Sequence, residues 1–240
     1  MSTPKISRMP ESRIWATQRS VFSSSRLPFS LGFSLVELAV VLAIIAVMVG
    51  ISTSASNIFA MANGQRVHTD FISAWVRAYS VFRSKNIIPA DNLEQPTHRI
   101  NQAMNKPLCN TETDQALSRV FIEQVGSTME LPVGRGSGEP HHYLVKDKDG
   151  IPRLLSVCFA TVYWSLPNGL DSYANQERHV LIIDGLTEEL ASQLDVIYDQ
   201  IANARKGSFR SKRLADSNSS ADKGWDDPAD YSRVYLLMPN

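Results

Sequence analysis

Only two cysteines, Cys109 and Cys158, occur in the 240 residues. A disulfide-dense secreted scaffold is therefore excluded, and at most one intrachain bridge can form. Net charge is also lacking, since 24 basic residues balance 24 acidic ones. No proline interrupts residues 29–88, and no charged side chain falls between Leu38 and Gln65. The motifs that carry chemistry are missing too. There is no nucleophile elbow, zinc-protease helix or Walker loop, so nothing supports an enzyme. Gly134–Gly138 is glycine-rich but lacks the lysine and following helix of a phosphate loop. No internal repeat is present.

What is present is asymmetric. Residues 1–32 carry Lys5, Arg8, Arg13, Arg19 and Arg26 against Glu11 alone, which leaves the remainder mildly acidic. That acidity argues against a general nucleic-acid surface. A basic, serine-rich head followed at once by an apolar run is a targeting signature. The densest part of the run is Leu38–Ile51, "LAVVLAIIAVMVGI". A membrane span needs roughly 20 apolar residues. The run reaches that length if residues 52–62 continue the helix, their hydroxyls bonding back to the backbone. Positive charge ahead of the run places the N-terminus in the cytoplasm and the bulk of the chain outside. Three segments fit this pattern: a secretory signal cut after the run, for which "STSASN" offers small residues; an uncut signal anchor; and a leader cut before the run.

Glu37 separates them. An unpaired acid in lipid costs about 2.5 kcal/mol or more, and neither of the first two readings needs one. Cleavage after Gly32 would create an α-amine at Phe33, with Glu37 four residues on. An ammonium on one subunit and a carboxylate on its neighbour then neutralise each other and set their register. The stretch "GFSLVELAVVLAIIAV" resembles the leader of type IV prepilins and type II secretion pseudopilins. That family has Gly before the cut, Phe as first mature residue, Glu as fifth, then an uninterrupted apolar stretch. The resemblance covers about 30 residues. It implies cleavage by a prepilin peptidase between Gly32 and Phe33, N-methylation of Phe33, and a subunit-assembly role for Glu37.

Beyond the run, Val67, Phe71, Ala74, Ala78 and Phe82 share one helical face, widened by Ile72, Trp75, Val76 and Tyr79. Pro89 ends this helix. A helix from Phe33 to about Lys85 would be roughly 80 Å long. Its aromatic-rich end resembles that of many minor pilins and pseudopilins, which run into a Pro-Gly-Asp turn; here Ala90 replaces that glycine. Residues 113–126 read as a short helix between Thr113 and Gly126. Residues 141–164 read as a β-hairpin about Asp149-Gly150, His179–Asp184 as a strand, and "SRVYLLMPN" as a closing strand. From Thr187, the residues Leu190, Leu194, Ile197 and Ile201 form one helical face. Asp195, Asp199 and Gly207 approximate an I-D-x-K-x-D-D-G pattern of pilin-like proteins. Residues 205–231, polar and punctuated, read as a flexible loop.

An even cysteine pair in a domain placed outside the cytoplasm favours a Cys109–Cys158 disulfide. Two buried thiols remain the alternative, which suits Cys158 in its apolar strand. Asp216, Asn218, Ser220, Asp222 and Asp227 fall at positions 1, 3, 5, 7 and 12 of a calcium-loop spacing. Ala221 stands where that loop wants glycine, and Asp227 where it wants glutamate, so a solvated acidic loop is the stronger reading. No other metal or cofactor is implied. His141-His142 lacks a third ligand and reads as a solvated strand start. The cluster Arg205, Lys206, Arg210, Lys212 and Arg213 reads as a solvated loop or a contact to an acidic neighbour rather than a nucleic-acid site.

The expectation is an α+β, pilin-like chain. It has a removable leader (1–32), a long N-terminal helix (33–88), transmembrane in its first half, and an extracytoplasmic head (89–240) with a small antiparallel sheet and short helices. The resemblance implies a filament subunit of minor or type IVb-like kind, in the bacterial inner membrane and then the filament. Its partners would be the prepilin peptidase, other pilin or pseudopilin subunits, the inner-membrane assembly platform and the lipid bilayer. A type II secretion pseudopilin is the alternative within the family. From another class, the alternative is a signal-anchored periplasmic binding protein that never polymerises.

Overall fold

The computed structural model describes residues 34–111, 114–125, 131, 133–136, 138–169 and 172–239, with side chains described throughout except at 51–60 and 125. Gly32, Phe33, Thr113 and Gly126 lie outside the described residues. The chain divides into two compact units, Met1–Val47 and Met48–Asn240.

The described part of the first unit is the start of helix α1 (Leu35–Arg66). Val40, Leu42, Ile44, Ile45 and Val47 fall on every side of this helix, and each keeps half or more of its surface open. A helix apolar all round is not the surface helix of a globular domain; it calls for lipid or other helices. Among the described residues no helix is long and apolar enough to cross a membrane. Residues 51–60, needed to complete a span, lack described side chains.

The second unit is a mixed α+β fold. α1 passes into a π-helical segment (Val67–Ile72) and then α2 (Ser73–Ser84). Val67, Phe71, Ile72, Trp75, Ala78, Tyr79 and Phe82 are buried. Ala74, expected on that face, is only partly covered. The wide π turn carries one residue more than an α turn, so the buried stripe steps to Trp75 instead. α2 stops just short of Pro89, which a helix interior does not accept.

Six strands form one antiparallel sheet: β1 (Leu108–Cys109), β2 (His142–Lys146), β3 (Pro152–Pro167), β4 (Tyr173–Asp184), β5 (Phe209–Ser211) and β6 (Arg233–Leu237). Their order is β1-β3-β4-β6-β5, with β2 also on β3. The hairpin about Asp149-Gly150 is β2–β3. Lys146 faces Pro152 across it, and Asp147 accepts hydrogen bonds from the Asp149 and Ile151 N–H groups. β4 is longer than its apolar end suggests. It pairs with β3 from Ser156↔Asp184 to Pro167↔Tyr173, and Asn168 N–H donates to the Ser172 carbonyl at 2.7 Å at the near end of the ladder. β6 closes the chain but lies inside the sheet, paired on both sides.

Alternation along the strands builds two apolar layers. On one face Leu155, Val157, Phe159, Leu181, Ile183, Val234 and Leu236 meet the π segment, α2, α3 (Ala116–Val125) and α4 (Glu188–Asp199). Trp75, Tyr79, Phe82, Phe121 and Phe159 interlock there with ring centroids 4.6–6.0 Å apart. Such pairs add about 0.5–1.5 kcal/mol each beyond area burial. Tyr79 also donates to His179 Nδ1 at 2.5 Å, and His179 Nε2 donates to the His98 carbonyl at 3.1 Å, tying α2, β4 and the 85–105 segment together.

On the other face Cys158, Ala160, Val162, Trp164, Val180, Ile182 and Tyr235 gather around Ala215. The segment after β5 folds over this layer, and Ser165 N–H donates to the Ala215 carbonyl at 2.8 Å. Residues 205–231, expected to be a flexible loop, are therefore built into the fold. They hold β5, the short α5 (Pro228–Tyr231), and buried Phe209, Arg210, Trp225 and Asp230.

Thr187 caps α4, its hydroxyl accepting from Leu190 N–H at 3.3 Å. The helix ends at Asp199 because Gln200 turns left-handed, with φ 64°. Ile201 consequently leaves the predicted face and stays 69 % exposed.

Candidate functional site

The first turn of α1 shows how Glu37 is held. Four N–H groups at a helix start have no partner within the helix. The Ser34 hydroxyl accepts from Val36 N–H at 3.2 Å, and the Glu37 carboxylate reaches back to Ser34 N–H at 3.3 Å. This is a reciprocal capping box. Its signal in the sequence is Ser34-Leu35-Val36-Glu37. Glu37 thus has a partner within its own chain. Gly32 and Phe33, the expected cleavage site, lie outside the described residues.

Cys109 and Cys158 are joined in a disulfide, 49 residues apart in sequence, at paired positions of β1 and β3. The bridge fastens a strand of only two residues. Neighbouring Asn110 is buried and anchors α3. Its Oδ1 accepts from Ser118 N–H at 3.0 Å, and its Nδ2 donates to Ser118 Oγ at 2.6 Å and to His141 Nδ1 at 3.1 Å. His141 is 5 % exposed, not solvated as the sequence suggested. Adjacent histidines on a strand should face apart, yet their ring centroids lie 3.9 Å apart. The reason is that β2 begins only at His142, so His141 is free of the strand's alternation.

A second polar centre surrounds α4. Asp195 is fully buried. Its Oδ2 accepts from Asn203 N–H at 2.6 Å and Trp225 Nε1–H at 2.8 Å, while Oδ1 has no partner among the described residues. Burial pushes this carboxyl up to about 8; the two hydrogen bonds pull the other way, and like charge on Asp199 adds to the rise. Asp199 accepts from Ser208 N–H, Ser208 Oγ–H and Phe209 N–H at 2.7–2.9 Å. Its carboxylate lies where a side chain at residue 207 would stand, and Gly207 has φ +86°. Asp199 and Gly207 thus lock the start of β5 onto the end of α4, while Asp195 ties α4 to Asn203 and Trp225.

The calcium spacing is not gathered into a ligand sphere. Among the described residues no group of three or more His, Cys, Asp or Glu side chains is placed to hold a metal. Asp222 pairs with Lys206 at 2.6 Å and accepts from Asn203 Nδ2 at 2.8 Å. Asp227 caps α5 through Ala229 N–H at 2.9 Å and pairs with Arg213 at 3.0 Å.

Four of the five basic residues, Arg205, Lys206, Arg210 and Arg213, have internal partners. Arg205 donates to Ser219 Oγ and the Ala221 carbonyl. Arg210 is buried, its guanidinium 4.5 Å over the Trp164 ring and bonded to the Gly207 and Ser165 carbonyls. Burial pulls Arg210 down to about 10. A surface groove of about 580 Å³ is lined by Asp184, Lys212, Arg213, Ala229, Ser232 and Arg233. Arg233 is held by Asp184, and Arg213 by Asp227 and Asp230, while Lys212 has no ion pair among the described residues.

Comparison with known proteins finds no protein-family model, no curated protein and no solved structure that matches this chain.

Proposed function

We propose that this chain is a structural subunit of a type IV pilus-like filament. A prepilin peptidase cuts it between Gly32 and Phe33, and the new Phe33 amine is methylated. Its N-terminal helix holds it in the inner membrane and then polymerises with other pilin-type subunits on the inner-membrane assembly platform. The head, residues 89–240, is extracytoplasmic and makes the specific contacts.

One observation carries this reading. Gly32, Phe33 and Glu37 stand at the family's spacing, after a basic leader and before the charge-free stretch from Leu38 to Gln65. Three structural features support it. The described apolar side chains of α1 are exposed all round, as a helix meant for lipid or a helical bundle requires. Ala90, which replaces the glycine of the family's turn, sits at φ 58°, the left-handed region that glycine enters most readily. The Cys109–Cys158 bridge suits a head outside the cytoplasm.

The test is Glu37→Gln in the native host. Its product should be cut after Gly32 yet be missing from sheared filament or pseudopilus fractions. An uncharged variant that assembled like wild type would remove the role given to Glu37.

A further inference from the structure

We propose that the Asn110–His141 contact is an acid-sensitive latch, which holds the first turn of α3 on the sheet when the imidazole is neutral and releases it when the imidazole is protonated. The inference does not rest on the filament reading. It follows from the direction of three hydrogen bonds.

Asn110 Oδ1 accepts from Ser118 N–H at 3.0 Å, which fixes Nδ2 as the donor to both Ser118 Oγ and His141 Nδ1. The amide has then used both of its hydrogens. His141 Nδ1 must be an acceptor, so the neutral ring carries its proton on Nε2. Adding a proton at Nδ1 sets an N–H against the Asn110 N–H. Flipping the amide would satisfy the imidazolium but turn Nδ2 toward Ser118 N–H, again donor against donor. No orientation of Asn110 serves a protonated His141 and the start of α3 together. Asn110, Ser118 and His141 are all buried, so the displaced donor would lack water.

The charges around the ring act in the same sense. Burial is the largest influence holding His141 below its ordinary value, and the neighbouring His142 adds to it; Glu139 opposes them. From the 133–136 segment, Arg135 turns its guanidinium over the Tyr143 ring at 5.7 Å. From α3, Arg119 is paired with Asp114. β1 contributes only uncharged Leu108 and the bridged Cys109. From β3, uncharged Ser156 faces His142. Asp184, beyond it on β4, is held by Arg233. Protonating both rings would place two cations with ring centroids 3.9 Å apart.

Release would be local. The disulfide keeps β1 on β3 whatever the state of His141. What loosens is α3, whose buried Leu117 and Phe121 belong to the main core. The experiment is hydrogen exchange of the disulfide-bonded protein at pH 8, 6.5 and 5, corrected for intrinsic rates, with an NMR titration of the His141 ring. Exchange at 118–124 should accelerate at least tenfold on acidification relative to β3–β4 amides, with a midpoint matching the His141 titration. His141→Gln keeps an acceptor without a titrating group and should abolish the difference. His142→Gln removes the like charge and should move the midpoint to higher pH. Exchange in α3 that ignores pH, that keeps its pH dependence in His141→Gln, or that tracks β3–β4 throughout would overturn the latch.

Discussion

Replacing Asp195 by asparagine should make this protein more stable at neutral and alkaline pH, and the size of the gain can be worked from the structure. The carboxyl is wholly buried, and only one of its oxygens is supplied with donors. Desolvation therefore wins over the two hydrogen bonds, and the group is pushed up to about 8 in the folded chain. In the unfolded chain it titrates near the ordinary aspartate value of about 4. Between these values the folded state binds a proton that the unfolded state does not. Stability from this group is thus fully present below about pH 4 and is lost as pH rises toward 8, at a limiting slope of about 1.4 kcal/mol per pH unit. An amide keeps an oxygen for Asn203 N–H and Trp225 Nε1–H and carries no titrating proton. From pH 5 to pH 7 the variant should gain about 2–3 kcal/mol relative to wild type. Urea unfolding of both proteins at each pH, followed by tryptophan fluorescence, measures that difference. A wild-type minus variant difference that stays flat across pH 5–7, or that changes in the opposite sense, would refute the assignment of a buried proton to Asp195.

Two further substitutions probe the head. Cys109→Ala with Cys158→Ala opens a loop of 49 residues and should cost about 4 kcal/mol in the chain-entropy picture; denaturant midpoints of the oxidised parent and the double variant measure it, and a loss under 1 kcal/mol would show that the bridge contributes little. Ala90→Gly removes a Cβ from a residue at φ 58° and should raise stability by about 0.5–1 kcal/mol, read as a small rise in Tm; a lower Tm would mean that the methyl group's packing outweighs the strain.

The parts legible in the sequence are those whose cause is local. The helical start of the apolar run and the α2 stripe are patterns over a few turns, and the Asp149-Gly150 hairpin is a turn signal between alternating strands. The Thr187 cap belongs with them. The parts missed depend on partners far along the chain. Residues 205–231 look like a loop because their composition is polar. Yet Arg210 is buried on Trp164, and Trp225 on Asp195. His141 and His142 look like a solvated pair, and only the placement of Asn110 beside them makes one an internal acceptor. The left-handed Gln200 could not be anticipated, because glutamine rarely takes that conformation. The β3–β4 pairing and the Ser34–Glu37 capping box were within reach of the residues alone. The one was masked by the shortness of the apolar stretch in β4, the other by the weight given to charge in lipid.

The central claim concerns where the chain begins in the cell, and the intact mass and N-terminal residue of the protein extracted from its own membranes test it most directly. The account predicts a chain starting at Phe33 and heavier by one methyl group. A chain still carrying residues 1–32 in cells with an active prepilin peptidase, or one cut after Ser56, would contradict it.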